Sequence, residues 1–392
     1  MYKVFLKPKK EESLLRFHPW VFSGAIQKID GEPEEGSIVE VYSSDRRFLA
    51  IGHYQIGSIS VRVLSFKKRE IDHAFWMERL GVAYDLRCTL GLANNPNNNT
   101  FRLVHGEGDC LPGLVIDIYG RTAVMQAHSV GMHCCREAIA KALKEVLGDG
   151  LDNIYYKSET TLPYKADIEN ECGYLLGGEA EDLALENGLR FCVDWLKGQK
   201  TGFFVDQRDN RSLLEKYSRG RSVLNMFCYT GGFSFYAMRG GAKIVHSVDS
   251  SAKAIWLTNK NVELNFPGDS RHQAFAEDAF KYLERMGNNY DLIILDPPAF
   301  AKHKNVLRNA LQGYRKLNAI AFEKIKPGGI LFTFSCSQVV SKDNFRLAVF
   351  SAAAQSGRNV RILHQLTQPA DHPVNIYHPE GEYLKGLVLY VE

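Results

Sequence analysis

The densest chemical pattern in the sequence is Leu295-Asp296-Pro297-Pro298-Ala299-Phe300. Two prolines directly after an apolar run force an extended, rigid loop, because each ring fixes its own φ and restricts the residue before it. That loop holds a carboxyl group and an aromatic ring. A second apolar run, Phe332-Thr333-Phe334-Ser335-Cys336-Ser337, ends on a thiol. A carboxyl group can exchange a proton with a reacting atom, and a thiolate is a strong nucleophile. Taken alone, Cys336 reads as an ordinary buried strand cysteine; its neighbourhood is what raises it to a candidate.

Three earlier stretches offer ligand contacts. Val223-Leu224-Asn225-Met226-Phe227-Cys228-Tyr229-Thr230-Gly231-Gly232-Phe233-Ser234 runs from an apolar strand through glycines toward a helix. Glycine there lets a ligand approach the backbone closely. Asp249 closes the next apolar run, about 20 residues on, where an acid accepts hydrogen bonds from ribose hydroxyls. Ala276-Glu277-Asp278-Ala279-Phe280 adds another carboxylate, suited to an amino group of a base, beside an aromatic ring. The phosphate-binding GxGxxG pattern is absent, which suits a nucleoside ligand without pyrophosphate. Singly these are a turn, a surface acid and a helix cap; together they read as one ligand site.

Such groups need a scaffold that brings strand ends together. From about residue 220, strand candidates at 222–227, 243–248, 272–275, 291–295 and 330–335 alternate with helical stretches. Repeated β-α-β predicts a doubly wound parallel sheet, which binds ligands beyond the carboxyl ends of its strands. Upstream, 1–70 reads as a small β-barrel-like module with strands at 37–42, 48–53 and 58–66, a turn at Glu32-Pro33-Glu34-Glu35-Gly36 and helical character only near 11–17. Residues 71–92 read as a helix, ended by Asn94-Asn95-Pro96-Asn97-Asn98-Asn99. An α+β stretch follows, with strands at 101–104, 114–118, 123–127, 153–157 and 189–194 and a helix at 134–147.

Composition agrees with two or three ordinary domains. The 392 residues are 45% hydrophobic and 24% charged, which excludes a disordered or collagen-like chain. No apolar run has the length of a membrane span or a signal peptide, so a cytoplasmic protein is expected. The eight cysteines form no CxxC pair and no Cys/His spacing suited to zinc, so no metal is expected. Residues 1–70 hold 12 basic and 9 acidic residues, which equals the whole chain's net charge of +3. Arg46-Arg47 and Lys67-Lys68-Arg69 could touch phosphates there, although a solvated face explains them on charge alone.

The set as a whole, comprising the glycine turn, Asp249, Asp278, Asp-Pro-Pro and Ser-Cys-Ser, resembles a class I S-adenosylmethionine-dependent methyltransferase. Gly198-Gln199-Lys200-Thr201-Gly202-Phe203-Phe204-Val205-Asp206-Gln207-Arg208-Asp209-Asn210-Arg211 resembles the segment before the catalytic sheet in the RlmI-like family of bacterial 23S rRNA (cytosine-5) methyltransferases. Arg16-Phe17-His18-Pro19-Trp20-Val21-Phe22-Ser23-Gly24-Ala25 resembles that family's RNA-binding PUA module, and Ser58-Ile59-Ser60-Val61-Arg62-Val63 its last strand. Asp371-His372-Pro373 and Tyr383-Leu384-Lys385-Gly386-Leu387 also look like the family. The resemblance covers nearly the whole chain. It implies a PUA domain at 1–70, a central α+β domain at 71–195 and a Rossmann-like methyltransferase domain at 196–392. It further implies an S-adenosylmethionine pocket lined by Phe227, Tyr229, Thr230, Gly231, Asp249, Ser250, Asp278, Ala279, Asp296 and Pro297. Lys200, Thr201 and Phe204 would border that pocket or hold its lid.

The implied chemistry can be checked against residue types. Carbon 5 of cytosine is a poor nucleophile until a thiolate adds to carbon 6, and Cys336 is the candidate thiol. Asp296 would support ring nitrogen N3 as charge develops, given a pKa raised by burial. Many related RNA enzymes have a second cysteine after Pro-Pro; here that position is Ala299, so Cys336 acts alone and Cys228 is read as pocket wall. Lys302 and Lys304 could grip rRNA phosphates beside a flipped base. The expected partner is 23S rRNA or a large-subunit precursor, with no membrane, and a homodimer is compatible with this reading. Two rivals stand beside it: methylation of a base nitrogen, such as guanine N7 or an exocyclic amine, and an RNA-binding protein with an inactive pocket.

Overall fold

The computed structural model describes residues 1–163, 172–179, 183–301 and 303–392, with the Lys304 side chain excepted. The chain forms two compact units. The first comprises 1–188, 193–205 and 370–381, and the second comprises 189–192, 206–369 and 382–392.

The second unit is built on a seven-stranded sheet. Its strands are β1 (Ser222–Met226), β2 (Ile244–Asp249), β3 (His272–Ala276), β4 (Leu292–Leu295), β5 (Gly329–Ser335), β6 (Val360–Leu366) and β7 (Lys385–Val391), in the order β3-β2-β1-β4-β5-β7-β6. The first five strands are parallel, and β7 pairs antiparallel with both β5 and β6. The doubly wound α/β sheet expected after residue 220 is therefore present. Leu292, Ile293, Ile294 and Leu295 are each 0% exposed, as a central strand covered on both faces requires. The chain winds outward from β1 to β3 and then returns to β4, so the switch point lies between β1 and β4.

Helices cover the sheet: α1 (Arg208–Tyr217), α2 (Gly232–Arg239), α3 (Ala252–Asn265), α4 (Ala279–Arg285), α5 (Leu307–Lys324) and α6 (Lys342–Ser356). Three begin on a side-chain cap. Ser251 accepts from the Ala254 amide at 3.2 Å, Asp278 from Lys281 at 3.1 Å and Ser341 from Asn344 at 3.1 Å. Leu224, Leu295, Leu331, Tyr314, Phe322 and Leu389 belong to one apolar core that ties the sheet to α5 and α6.

The first unit holds two further sheets. One has six strands, in the order Trp20–Phe22, Ile59–Ser65, Phe48–Tyr54, Ile38–Tyr42, Tyr2–Leu6 and Ile26–Asp30. The other has five, in the order Gly173–Leu176, Asn153–Tyr156, Thr122–Ala127, Leu114–Tyr119 and Thr100–His105, with helices His73–Thr89 and Arg136–Leu147. Among the described residues, no helix is long and apolar enough to cross a membrane.

The structure adds strands that the sequence pattern does not assign. Tyr2–Leu6, Trp20–Phe22 and Ile26–Asp30 are needed to complete the six-stranded sheet, and β6 and β7 to complete the seven-stranded one. Trp20–Phe22 is too short to show alternation, β6 is an edge strand with mixed exposure, and β7 opens on Lys-Gly. The helix expected at 134–147 begins earlier, because Ser129 caps a start at Val130, and it is interrupted at Cys135, whose backbone (φ −91°, ψ 4°) leaves the helical region, into Val130–Cys134 and Arg136–Leu147. The helical stretch near 11–17 is one turn, Glu12–Leu15.

Candidate functional site

The carboxyl ends of β1, β2, β3, β4 and β5 lie side by side. Met226 pairs with Val248 and with Leu295, Asp249 pairs with Ala276, and Leu295 pairs with Thr333. The residues that follow these pairs therefore share one edge of the sheet: Phe227 to Gly231, Asp249 and Ser250, Asp278 and Ala279, Asp296 and Pro297, and Cys336.

The loop after β1 is unusual backbone. Phe227 (φ 57°), Tyr229 (φ 48°) and Gly231 (φ 86°) all lie in the left-handed region. Two non-glycine residues held there cost of order 1–3 kcal/mol each, and such strain gathers at ligand sites. At Gly231 a Cβ would come within 2.6 Å of Phe235 and 2.8 Å of Thr258, so a side chain is excluded on both counts. Helix α3 steadies the loop: Thr258 Oγ1 donates to the Tyr229 carbonyl at 3.0 Å, and Asn261 Nδ2 to the Thr230 carbonyl at 3.4 Å. Cys228 is buried, and burial together with the nearby Asp249 carboxylate pushes its thiol far above the ordinary range. Its side chain is buried beneath the loop.

Asp249 is half-buried at the end of β2. Its Oδ2 accepts from the Tyr229 amide and its Oδ1 from the Ser251 amide, each at 2.9 Å. A carboxylate has about four acceptor positions, so it can still accept from hydroxyl groups of a ligand. Ser250 beside it is exposed. Asp278 is exposed and caps α4, with Ala279 buried behind it. This donor and acceptor set fits a nucleoside.

Asp296 is half-buried beyond β4, and Pro297 behind it is buried. Gln207 donates from Nε2 to Asp296 Oδ2 at 3.1 Å. Asn210 Nδ2 donates to Gln207 Oε1 at 2.6 Å, which fixes the way the Gln207 amide faces. One residue beyond β5 stands Cys336, also half-buried. Tyr314 of α5 lies within electrostatic reach of both Cys336 and Asp296. Its hydroxyl accepts from Ser335 Oγ at 2.9 Å, its ring lies 4.7 Å from that of Phe300, and burial pushes its phenol up to about 12. Ser337 Oγ donates to the Ala301 carbonyl at 2.5 Å and so ties the Asp296 loop to the Cys336 loop. Lys385, first residue of β7, donates to the carbonyls of Ser337 (2.5 Å) and Val340 (2.8 Å), and burial pushes its ammonium down to about 8.

Gln207, Asn210, Tyr314 and Lys385 had no catalytic signal of their own in the sequence. Gln207 and Asn210 stand in the quoted 198–211 segment, and Lys385 in the quoted 383–387 segment. The family resemblance was the one available pointer to those three, and for Tyr314 there was none.

Most of the other candidates fall in the first unit. Lys200 is exposed with its ammonium 4.7 Å from the Phe204 ring centre, and its own φ is 49°. Thr201 is 1% exposed; its hydroxyl donates to Asp117 Oδ2 at 2.6 Å and lies 2.9 Å from the Tyr119 hydroxyl. Arg46, Arg47 and Lys67 are exposed. Lys68 pairs with Glu40 at 3.1 Å and Arg69 with Glu78 at 3.0 Å, so part of that basic run answers carboxylates of the same unit. Lys302 lies outside the described residues, as does the side chain of Lys304, whose backbone opens the short helix Lys304–Val306.

Comparison with known proteins adds a family frame. Residues 101–380 match the family model of S-adenosylmethionine-dependent methyltransferases, and 4–66 match that of PUA-like domains. The chain is 40% identical over 394 residues to the ribosomal RNA large subunit methyltransferase I of Aeromonas hydrophila, covering 98% of each chain. It is 40% identical to the protein of that name from Erwinia tasmaniensis, covering 99% of each. Among solved structures, it is similar to a protein described as a SAM-dependent methyltransferase from Streptococcus mutans (TM-score 0.84, 25% identity, 100% of each chain). It is also similar to a methyltransferase solved in complex with SAH (TM-score 0.85, 25% identity, 100% of each chain).

Proposed function

The chain belongs to the family of S-adenosylmethionine-dependent methyltransferases, and we propose that it methylates carbon 5 of a cytosine in 23S rRNA, through a bond between Cys336 and carbon 6 of the base. The observation that carries this reading is the half-buried thiol one residue past β5, on the strand next to that of Asp296. Nitrogen methylation needs no thiol, because the nitrogen lone pair attacks directly. The names of the close relatives, ribosomal RNA large subunit methyltransferases, support the RNA class.

When bound, S-adenosylmethionine supplies an electrophilic methyl group. Asp249 would accept from its ribose hydroxyls and Asp278 from its base, against the Phe227–Gly231 loop. The substrate chemistry falls to the other half of the edge. Cys336 as thiolate adds to carbon 6 and breaks the 5,6 double bond. The electron pair moves toward N3, which Asp296 supports by donating a proton or a hydrogen bond. Carbon 5, now part of an enamine, would take the methyl group as its bond to sulfur breaks, leaving S-adenosylhomocysteine, and N3 would return its proton to Asp296. Loss of the carbon-5 proton restores the double bond and expels the Cys336 thiolate. Gln207, donating to Oδ2, holds Asp296 at the angle this requires. Arg46, Arg47, Lys67, Lys68, Arg69, Lys302 and Lys304 are the proposed phosphate contacts, of which Lys68 and Arg69 also pair with carboxylates of the chain. The division at 1–70, 71–195 and 196–392 is likewise a proposal, since the two compact units cut the chain differently.

Nucleoside mass spectrometry tests the assignment. Unmodified 23S rRNA incubated with the protein and labelled cofactor should yield labelled 5-methylcytidine. Label found instead in a methylguanosine or an N-methylated base would reject it.

A further inference from the structure

His378 is 3% exposed, and neither ring nitrogen has a hydrogen-bond partner. Leaving a buried polar atom unpaired costs roughly 1–3 kcal/mol, so the position calls for an unseen partner. Two other ligand-type side chains converge on it. His18 Nε2 lies 3.7 Å from Glu380 Oε1, and His378 Nε2 lies 3.8 Å from Glu380 Oε2. The three donor atoms all lie within 4.8 Å of one another. With metal bonds of 2.0–2.2 Å, tetrahedral ligands stand about 3.4 Å apart, so closure needs only a small movement. Glu380 is half-exposed and able to make it.

The histidines are held, which favours binding. Segment 370–381 is pinned to the body of the first unit. Arg87 donates to the Asp371 carbonyl at 2.8 Å and Asn375 to the Glu107 carbonyl at 3.2 Å. Pro373 sits so close to Gly108 that a Cβ there would lie 1.9 Å from the Pro373 carbonyl oxygen. The His378 ring packs against Trp20, centroids 4.3 Å apart. On His18, Nδ1 stands 3.4 Å from the Trp20 carbonyl, the partner that a metal-bound imidazole uses on its other nitrogen. The Trp20 amide, 3.2 Å from the same atom, is the competing partner that binding would release. Glu107, which takes the Trp20 indole N–H at 2.8 Å, adds negative charge facing His378.

We propose that His18, His378 and Glu380 form a zinc site with water as fourth ligand, linking the six-stranded module to segment 370–381. Two imidazoles and a carboxylate suit this metal. The positions lie at opposite ends of the chain, so no local spacing announced them, and the sequence had suggested no metal.

The full chain, stripped by chelator, would be titrated with zinc and, separately, with cobalt(II). The wild type should bind one equivalent that His378→Ala lacks, and zinc should raise its melting temperature but not that of the variant. Should His378→Ala fail to fold, Glu380→Gln at a half-exposed position should weaken zinc binding at least ten-fold. Cobalt should give visible bands without thiolate charge transfer. No zinc equivalent, equal binding by wild type and Glu380→Gln, or thiolate bands showing that the metal sits on cysteines would each overturn the proposal.

Discussion

Gln207 donates to Asp296 across 3.1 Å, and Asn210 holds Gln207 in turn at 2.6 Å. A residue of the segment that leads into the sheet thus fixes the acid of the Asp-Pro-Pro loop. A hydrogen bond to a charged group is worth about 1.5–3 kcal/mol. Gln207→Leu should therefore slow methyl transfer roughly ten- to hundred-fold in single-turnover kinetics. Cofactor affinity by calorimetry should hold. An unchanged rate would remove Gln207 from the mechanism.

Asp249 already accepts two backbone amides and is assigned the ribose hydroxyls. Asp249→Ala should weaken S-adenosylmethionine binding about ten-fold or more. Because the same carboxylate braces the Tyr229 amide, Asp249→Asn, which keeps one acceptor oxygen, should lose less. Calorimetric titration of both variants decides; equal affinity in wild type and Asp249→Ala would move the cofactor elsewhere.

Arg46 and Arg47 are exposed at the turn between two strands of the six-stranded sheet. If they touch phosphates, changing both to Ala in the full chain should lower rRNA affinity and reduce the slope of log K against log salt by about 2. Cofactor affinity should stay as it was. Parallel salt series for the two proteins would show that this turn is only a solvated face.

Lys385 contributes through titration. Burial lowers its folded pKa to about 8, from 10.5. Between those values the unfolded chain binds more protons than the folded one, so stability from this group rises as pH climbs from about 8 to 10.5. Below 8 the burial penalty is fully present. Urea unfolding across this window should show the rise in wild type and lose it in Lys385→Met. At pH 7 that variant strands two carbonyls, of Ser337 and Val340, at roughly 1–3 kcal/mol each, offset by relief of the burial penalty on the ammonium. A flat difference between the two proteins across the window would mean that Lys385 titrates normally.

Much of this site was legible because class I chemistry collects at strand ends, and strand ends are short-range signals. Asp249, Asp278, Asp296 and Cys336 each follow an apolar run, and the alternation of runs predicted that they would share an edge. What sequence could not show was contact between distant segments. Gln207 meets Asp296, Lys385 meets the loop after Cys336, and Thr258 of α3 braces the Tyr229 carbonyl, none with a periodic pattern to announce it. The antiparallel pair β6 and β7 was missed for a related reason. It completes the sheet through long-range pairing with β5, while a Lys-Gly opening and a partly polar edge conceal its character.

The covalent role proposed for Cys336 is best tested by trapping. RNA carrying 5-fluorocytosine at the target should form a stable adduct with the wild-type protein and cofactor, because fluorine cannot leave as the carbon-5 proton does. Peptide mapping should find the base on Cys336. Cys336→Ala should fold, bind cofactor and form no adduct, while Cys228→Ser should still be trapped. Methyl transfer by Cys336→Ala, or an adduct mapped to Cys228, would contradict the thiol mechanism and restore methylation of a base nitrogen.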